Sequence, residues 1–288
     1  MEIEFFADTA SIQEIKHCFA NGVDDGITTN PKIIETSGDL SKGIKSAYQS
    51  LIEKYPNVPI SLETDLRGLN VNEIEAVPEQ VSEILLGQAY DLMDLSENVV
   101  IKIPICTGGL LATQELTKQG IRTNVTACMT PYQALAAAQA GGTYVSLFAN
   151  RMLDSEILAL SGNKLEEIVT NPEWKSIVKE NTKKHFDEAW GKTSGAIAYV
   201  AEKLDGTKSK LIVGSIRLPE DIHKIVQAGP QVITIPYGIV SQMGDMTHLK
   251  NTQRTIDYTD VKVGNSITHP MTQYTLDEFE KSADKYRK

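Results

Sequence analysis

Eight short apolar runs, most of them followed by a stretch of helical periodicity, constrain this chain more than any other feature. The runs are Ile3–Ala7, Gly26–Thr28, Val58–Leu62, Val99–Ile103, Ile121–Thr126, Thr143–Leu147, Leu211–Gly214 and Val232–Ile235. VVIKIPI and QVITIP are apolar almost throughout, as strands buried on both faces must be. Helical patterns lie between the runs at Ser11–Ala20, Ser41–Lys54, Val71–Leu95, Gly108–Gln119, Pro131–Ala140 and Pro219–Ala228, and after the last at Ile239–Leu249. Strand then helix, repeated, calls for right-handed crossovers and a parallel sheet. With eight units the sheet is expected to close into a (β/α)8 TIM barrel. An open dinucleotide-binding sheet would carry GxGxxG after an early strand, and the sequence has none.

A length of 288 residues suits one such domain. The barrel is expected over 1–250, including a long helical excursion at about 152–210 that is rich in Lys and Glu and broken at Asn171–Pro172. Residues 251–288 read as a C-terminal arm and helix: polar and irregular over Asn251–Thr268, then helical over Thr275–Tyr286. In that last helix Leu276, Phe279 and Ala283 form one apolar stripe, which must be buried against something. A stripe left over after the barrel is covered points to a homo-oligomer, with packing on the chain's own barrel as the alternative.

With 28 Lys and Arg against 38 Asp and Glu, the net charge of −10 argues against nucleic acid or an anionic membrane as partner. An anionic substrate must then be met by a local basic site. No apolar run is long enough to span a bilayer, and MEIEFFADTASI lacks the basic start and apolar core of a secretory signal. Cys18, Cys106 and Cys128 show no CxxC spacing, so they read as reduced, partly buried thiols in the cytoplasm and not as a metal site.

Barrel enzymes carry their chemistry at the C-terminal ends of strands. Those ends hold Asp8, the Thr29–Asn30–Pro31 loop, Glu63, Lys102, Asn124 with Thr126, Ser146 and Ser215. Lys102 is the sharpest signal, because every neighbour within three positions is aliphatic or Pro. An unpaired buried ammonium is costly, so such a lysine either finds a carboxylate or gives up its proton and becomes able to attack a carbonyl. A structural ion pair or a lysine reaching out to solvent is the plainer reading. Asn124 and Thr126, two apart, share one face of their strand. Asp8 and Glu63 make a candidate acid/base pair, although Asp8 precedes a helix and could simply cap it. Arg151 and Arg217 follow the sixth and seventh strands, where this fold commonly holds phosphate.

Taken together, ADTASI, GITTNPKII, SLETD, VVIKIP followed by GGL, IRTNVTA, AGGTYVSLFANRMLD and GSIR resemble the transaldolase family, including its smaller relatives that act as fructose 6-phosphate aldolases. The motifs run in family order from about residue 3 to 217. The resemblance implies a Schiff base on Lys102. It implies that Asp8 is the acid/base for C3–C4 cleavage, and that Glu63 with Thr126 activates water. Asn30, Asn124 and Ser146 would bind the dihydroxyacetone unit, and Arg151, Ser215 and Arg217 the phosphate. Neither metal nor organic cofactor is implied, since the protonated imine is the electron sink. The partners implied are small sugar phosphates, in carbohydrate metabolism by way of the pentose phosphate pathway. Glu63 and Phe148 resemble the members that transfer the three-carbon unit, whereas relatives releasing free dihydroxyacetone tend to Gln and Tyr there. The chain departs from the family at Lys32, where Ser is usual, at Cys106, where Thr is common, and at Gly108, where Glu or Gln is usual. Three further readings stay open: release of free dihydroxyacetone, transfer from another anionic sugar such as a sulfonated one, and a silent sugar-phosphate-binding barrel.

Overall fold

The computed structural model describes residues 2–168, 173–256, 258 and 260–287. The strands are β1 (Glu4–Asp8), β2 (Gly26–Thr28), β3 (Ile60–Glu63), β4 (Val99–Pro104), β5 (Thr123–Cys128), β6 (Tyr144–Phe148), β7 (Lys210–Gly214) and β8 (Val232–Pro236). Each pairs in parallel with the next, and β8 pairs with β1. The sheet is therefore a closed (β/α)8 barrel.

Side chains alternate across a strand with period two, and here the inward rows change character along the barrel axis. At the bottom, Phe6, Val100, Tyr144, Ile212 and Val232 form an apolar plug that is separate from the main core. Gly26 belongs to this layer, and a Cβ there would lie 2.7 Å from the Phe6 ring. One step further along the same strands stand Asp8, Lys102, Ser146 and Thr234, and beside them Thr28, Glu63, Asn124 and Thr126. The outward rows are mostly apolar and pack beneath the helices, where the main core lies.

The covering helices are α1 (Ile12–Ala20), α2 (Pro31–Ser37), α3 (Ile44–Lys54), α4 (Pro78–Met93), α5 (Thr107–Lys118), α6 (Pro131–Gln139), α7 (Ala149–Leu160), α8 (Leu165–Ile168), α9 (Trp174–Leu204), α10 (Pro219–Ala228), α11 (Tyr237–Met243) and α12 (Pro270–Ala283). Helix α2 is absent from the periodicity reading because two turns are too short to show a stripe, yet its start signals are local. Pro31 sits at the first helical position, and the Asn30 side chain accepts from Ile33 N at 2.8 Å. Gly108 has a packing cause: a Cβ there would lie 2.6 Å from Pro78 O and from Val81 Cβ, so only glycine lets α5 approach α4 this closely. Cys106 is buried, and its Sγ caps α5 by accepting from Gly109 N at 3.2 Å.

Within the stretch read as an excursion, α7 and α9 pack against each other. The second half of α9 is rich in buried residues from Ala189 to Leu204 and lies against β7, so it takes the place of a covering helix. The Asn171–Pro172 break lies outside the described residues. Among the described residues no helix is long and apolar enough to cross a membrane.

Helix α12 starts five residues before the expected Thr275, with His269 Nδ1 accepting from Met271 N at 3.2 Å as its cap. Met271, Leu276, Phe279 and Ala283 are all buried within the chain itself. The apolar stripe that motivated an oligomer is thus covered by the chain's own barrel, over α2, β5 and α7.

Candidate active site

Strand register brings the chemistry together. Glu63 stands opposite Lys102, and Lys102 opposite Asn124, so three neighbouring strands present these side chains at one level. Lys102 is 4% exposed, which makes its partners decisive. Its Nζ lies 2.9 Å from Glu63 Oε2 and donates to Thr29 O at 2.8 Å. Of the two outcomes open to a lysine in this apolar run, it has found a carboxylate. Glu63 Oε2 makes no hydrogen bond of ordinary geometry, so the contact is an ion pair that is not aligned as a hydrogen bond. Burial pushes the Glu63 carboxyl up to about 7, against the downward pull of the Lys102 charge.

Asp8 accepts from Thr28 Oγ1 at 2.7 Å, and the Thr28 and Thr234 hydroxyls are themselves bonded to each other. Burial raises the Asp8 carboxyl above its ordinary value, with Lys102 and the hydroxyls opposing. Asp8 therefore does not cap α1; Ser11 does, accepting from Glu14 N. Asn124 links two neighbours: its Nδ2 donates to Ser61 Oγ at 3.2 Å, and its Oδ1 accepts from Ser146 Oγ at 2.7 Å. Thr126 lies where the β5–β6 register shifts, next to Ala127 at φ 63°, and its buried hydroxyl has no hydrogen-bond partner among the described residues.

A cavity of about 220 Å³ opens over this floor, lined by Asp8, Asn30, Lys102, Thr126, Ser146, Phe148, Arg151 and Ser215 among the expected residues. Glu63 and Asn124 stand behind the wall as partners of Lys102 and Ser146. Arg217 does not line it. Both of its terminal nitrogens are held by Asp154, at 2.8 and 2.5 Å, and its main-chain N–H donates to Asp221 Oδ2 at 3.0 Å. Ser215 occupies the left-handed region at φ 62°, with its carbonyl accepting from Asn150 Nδ2 at 2.8 Å. Lys32 reaches the mouth and pairs with Glu35 at 3.0 Å.

Thr28, Thr234 and Phe279 also line the cavity, and none of them is placed at the site by the sequence reading. The two threonines were readable in principle, since each faces inward by the period-two rule. Phe279 was not, because nothing local says that a helix more than a hundred residues after β6 closes over its end.

Comparison with known proteins bears on the family. The profile of the family described as Transaldolase/Fructose-6-phosphate aldolase matches residues 5–288. A probable transaldolase of Clostridium tetani (strain Massachusetts / E88) is 34% identical over 241 residues, which is 84% of this chain and 90% of that protein. A probable transaldolase of Thermodesulfovibrio yellowstonii (strain ATCC 51303 / DSM 11347 / YP87) is 29% identical over 99% of this chain and 100% of its own. Among solved structures, 3-hexulose-6-phosphate synthase from Salmonella typhimurium aligns over 96% of this chain and 99% of its own at 11% identity and a TM-score of 0.44. With a family profile spanning nearly the whole chain and relatives above 30% identity, the chain belongs to the transaldolase/fructose-6-phosphate aldolase family.

Proposed function

We propose that this protein is a transaldolase that moves a dihydroxyacetone unit from a ketose phosphate to an aldose phosphate through a Schiff base on Lys102. The observation that carries the reading is the buried Lys102 Nζ beside Glu63 Oε2, at 2.9 Å, on the wall of a cavity that Asp8 shares. A carboxyl held near 7 by burial is suited to take a proton from the lysine and return it at neutral pH. The freed amine attacks the ketose C2 carbonyl, and the carbinolamine loses water to leave a protonated imine. Asp8 then takes the C4 hydroxyl proton as the C3–C4 bond breaks, the electron pair passing into the imine and the aldose leaving as an aldehyde. The reverse sequence joins the enamine to an acceptor aldose, and hydrolysis frees the lysine. The unpartnered Thr126 hydroxyl is suited to orient the water of these steps, and Asn30, Asn124 and Ser146 the hydroxyls of the three-carbon unit.

Transfer is favoured over release of free dihydroxyacetone by Phe148. Its ring faces the cavity and packs 6.5 Å from that of Phe279, so position 148 offers no hydroxyl to hold the catalytic water or Asp8 for protonation of the enamine. The test is intact mass after borohydride treatment with a panel of ketose phosphates. The wild type should gain the mass of one reduced donor-derived adduct, and Lys102→Ala should gain none and lose turnover. Trapping at another lysine, or activity in the variant, overturns the mechanism.

A further inference from the structure

Arg151 is the arginine that reaches the cavity, yet its guanidinium is already occupied. Its Nη2 donates to Glu278 Oε2 at 2.7 Å, and its Cζ lies 5.4 Å from the centre of the Tyr274 ring. Tyr274 OH in turn donates to Glu278 Oε1 at 2.8 Å, and Lys175 Nζ lies 3.8 Å from the same oxygen. Both Tyr274 and Glu278 belong to α12, whose Phe279 lines the cavity one residue on.

Helix α12 is also held in place at both ends by groups other than this carboxylate. At the start of the helix, Thr272 Oγ1 donates to Ala127 O at 2.9 Å and accepts from Gln133 Nε2 at 3.2 Å. Towards its end, Glu280 accepts from Leu66 N at 2.5 Å and Gly68 N at 3.1 Å, and pairs with Arg287 at 2.6 Å. The stripe Met271, Leu276, Phe279 and Ala283 is buried between these anchors.

We propose that Glu278 is a specificity-determining residue: its carboxylate fills the Arg151 anion subsite in the free enzyme and must be displaced by the terminal phosphate of the substrate. The proposal rests on the reading that Arg151 takes that phosphate. An unoccupied guanidinium would accept any small anion. A guanidinium already holding a carboxylate is opened most readily by a competitor of greater charge that can accept from the same nitrogens, which a phosphate dianion is. Against the cost of burial, the hydrogen bond from Arg151 holds the Glu278 carboxyl below its ordinary range, so the competitor stays charged. The Tyr274 hydroxyl and Lys175 give the released carboxylate a place to remain, so α12 need not leave the barrel.

The experiment is calorimetric titration of inorganic phosphate into the full chain, comparing wild type, Glu278→Gln, Arg151→Ala and the double variant, with KM measured on a ketose phosphate and on its dephospho analogue. Glu278→Gln keeps the shape and the contact with Tyr274. It should bind phosphate about two- to fivefold more tightly, the value of one partly exposed ion pair. Its KM should fall by a similar factor for the phosphorylated sugar and far less for the dephospho sugar. In the Arg151→Ala background the substitution should gain nothing. Unchanged or weaker phosphate binding by Glu278→Gln overturns the proposal. So does a gain that persists without Arg151, which would mean that Glu278 acts only by general repulsion. Equal changes on both sugars would mean that α12 has merely loosened, and would overturn it too. Calorimetry needs no turnover, so failure to trap an imine on Lys102 would sink the transaldolase reading while leaving this result to stand or fall by itself.

Discussion

At the scale of single residues, proton placement is set by burial. Glu63 is 7% exposed and its carboxyl is pushed up to about 7, so it changes charge within the working range of the enzyme. If the deprotonated form takes the proton from Lys102, activity must rise with pH through that value. A single group titrating there should give about a tenfold increase in kcat between pH 6 and pH 8. Glu63→Gln, which cannot titrate, should flatten this limb while still forming a trappable imine. A pH profile that keeps the limb would assign it to another group, of which Asp8 is the first candidate. The two arginines are equally informative because the structure separates them. Arg151 lines the cavity, whereas Arg217 is clamped by the buried carboxylate of Asp154. Arg151→Ala should therefore raise KM for a phosphorylated substrate roughly ten- to a hundredfold, the value of one charged hydrogen bond. Arg217→Ala should act mainly on stability, by leaving Asp154 buried without its cation. Equal KM effects from the two substitutions would restore Arg217 to the phosphate site.

Among the elements, α12 couples fold and site most directly. Its apolar stripe seals the C-terminal side of the barrel, and Phe279 meets Phe148 from β6 at a centroid distance of 6.5 Å. Phe279→Ala removes a buried ring from this seal and should cost about 3–5 kcal/mol in urea unfolding. Turnover should fall together with stability, because the same ring lines the cavity. A loss below about 1 kcal/mol would mean that the helix rests loosely on the barrel. The sequence reading of α12 was right about its stripe and wrong about its start. The period of Leu276, Phe279 and Ala283 is a local property, but Pro270 and the capping imidazole of His269 set the first turn. Helix α2 teaches the same lesson: Asn30 and Pro31 are legible start signals in a segment too short to display periodicity.

For the whole molecule, the amino-acid sequence by itself determined the barrel. Eight buried-strand runs alternating with amphipathic segments leave few other ways to satisfy every backbone group and cover both faces of a parallel sheet. It also determined which strand ends carry Asp8, Glu63, Lys102, Asn124 and Ser146, because inward and outward facing follows from period two once the strands are known. Pairing between strands is another matter. That Lys102 meets Glu63 and the Thr29 carbonyl, that Asn124 bridges Ser61 and Ser146, and that Asp154 captures Arg217 all depend on register and on helices far apart in sequence. The closing of α12 over the strand ends likewise joins residues 127 positions apart, as in the contact between Arg151 and Glu278. Local patterning states which face of an element is apolar and which residues are ionisable. Which surface covers that face, and which charge answers which, is settled only when the closed barrel brings distant segments within a few ångströms, where desolvation makes an unanswered charge too costly to keep.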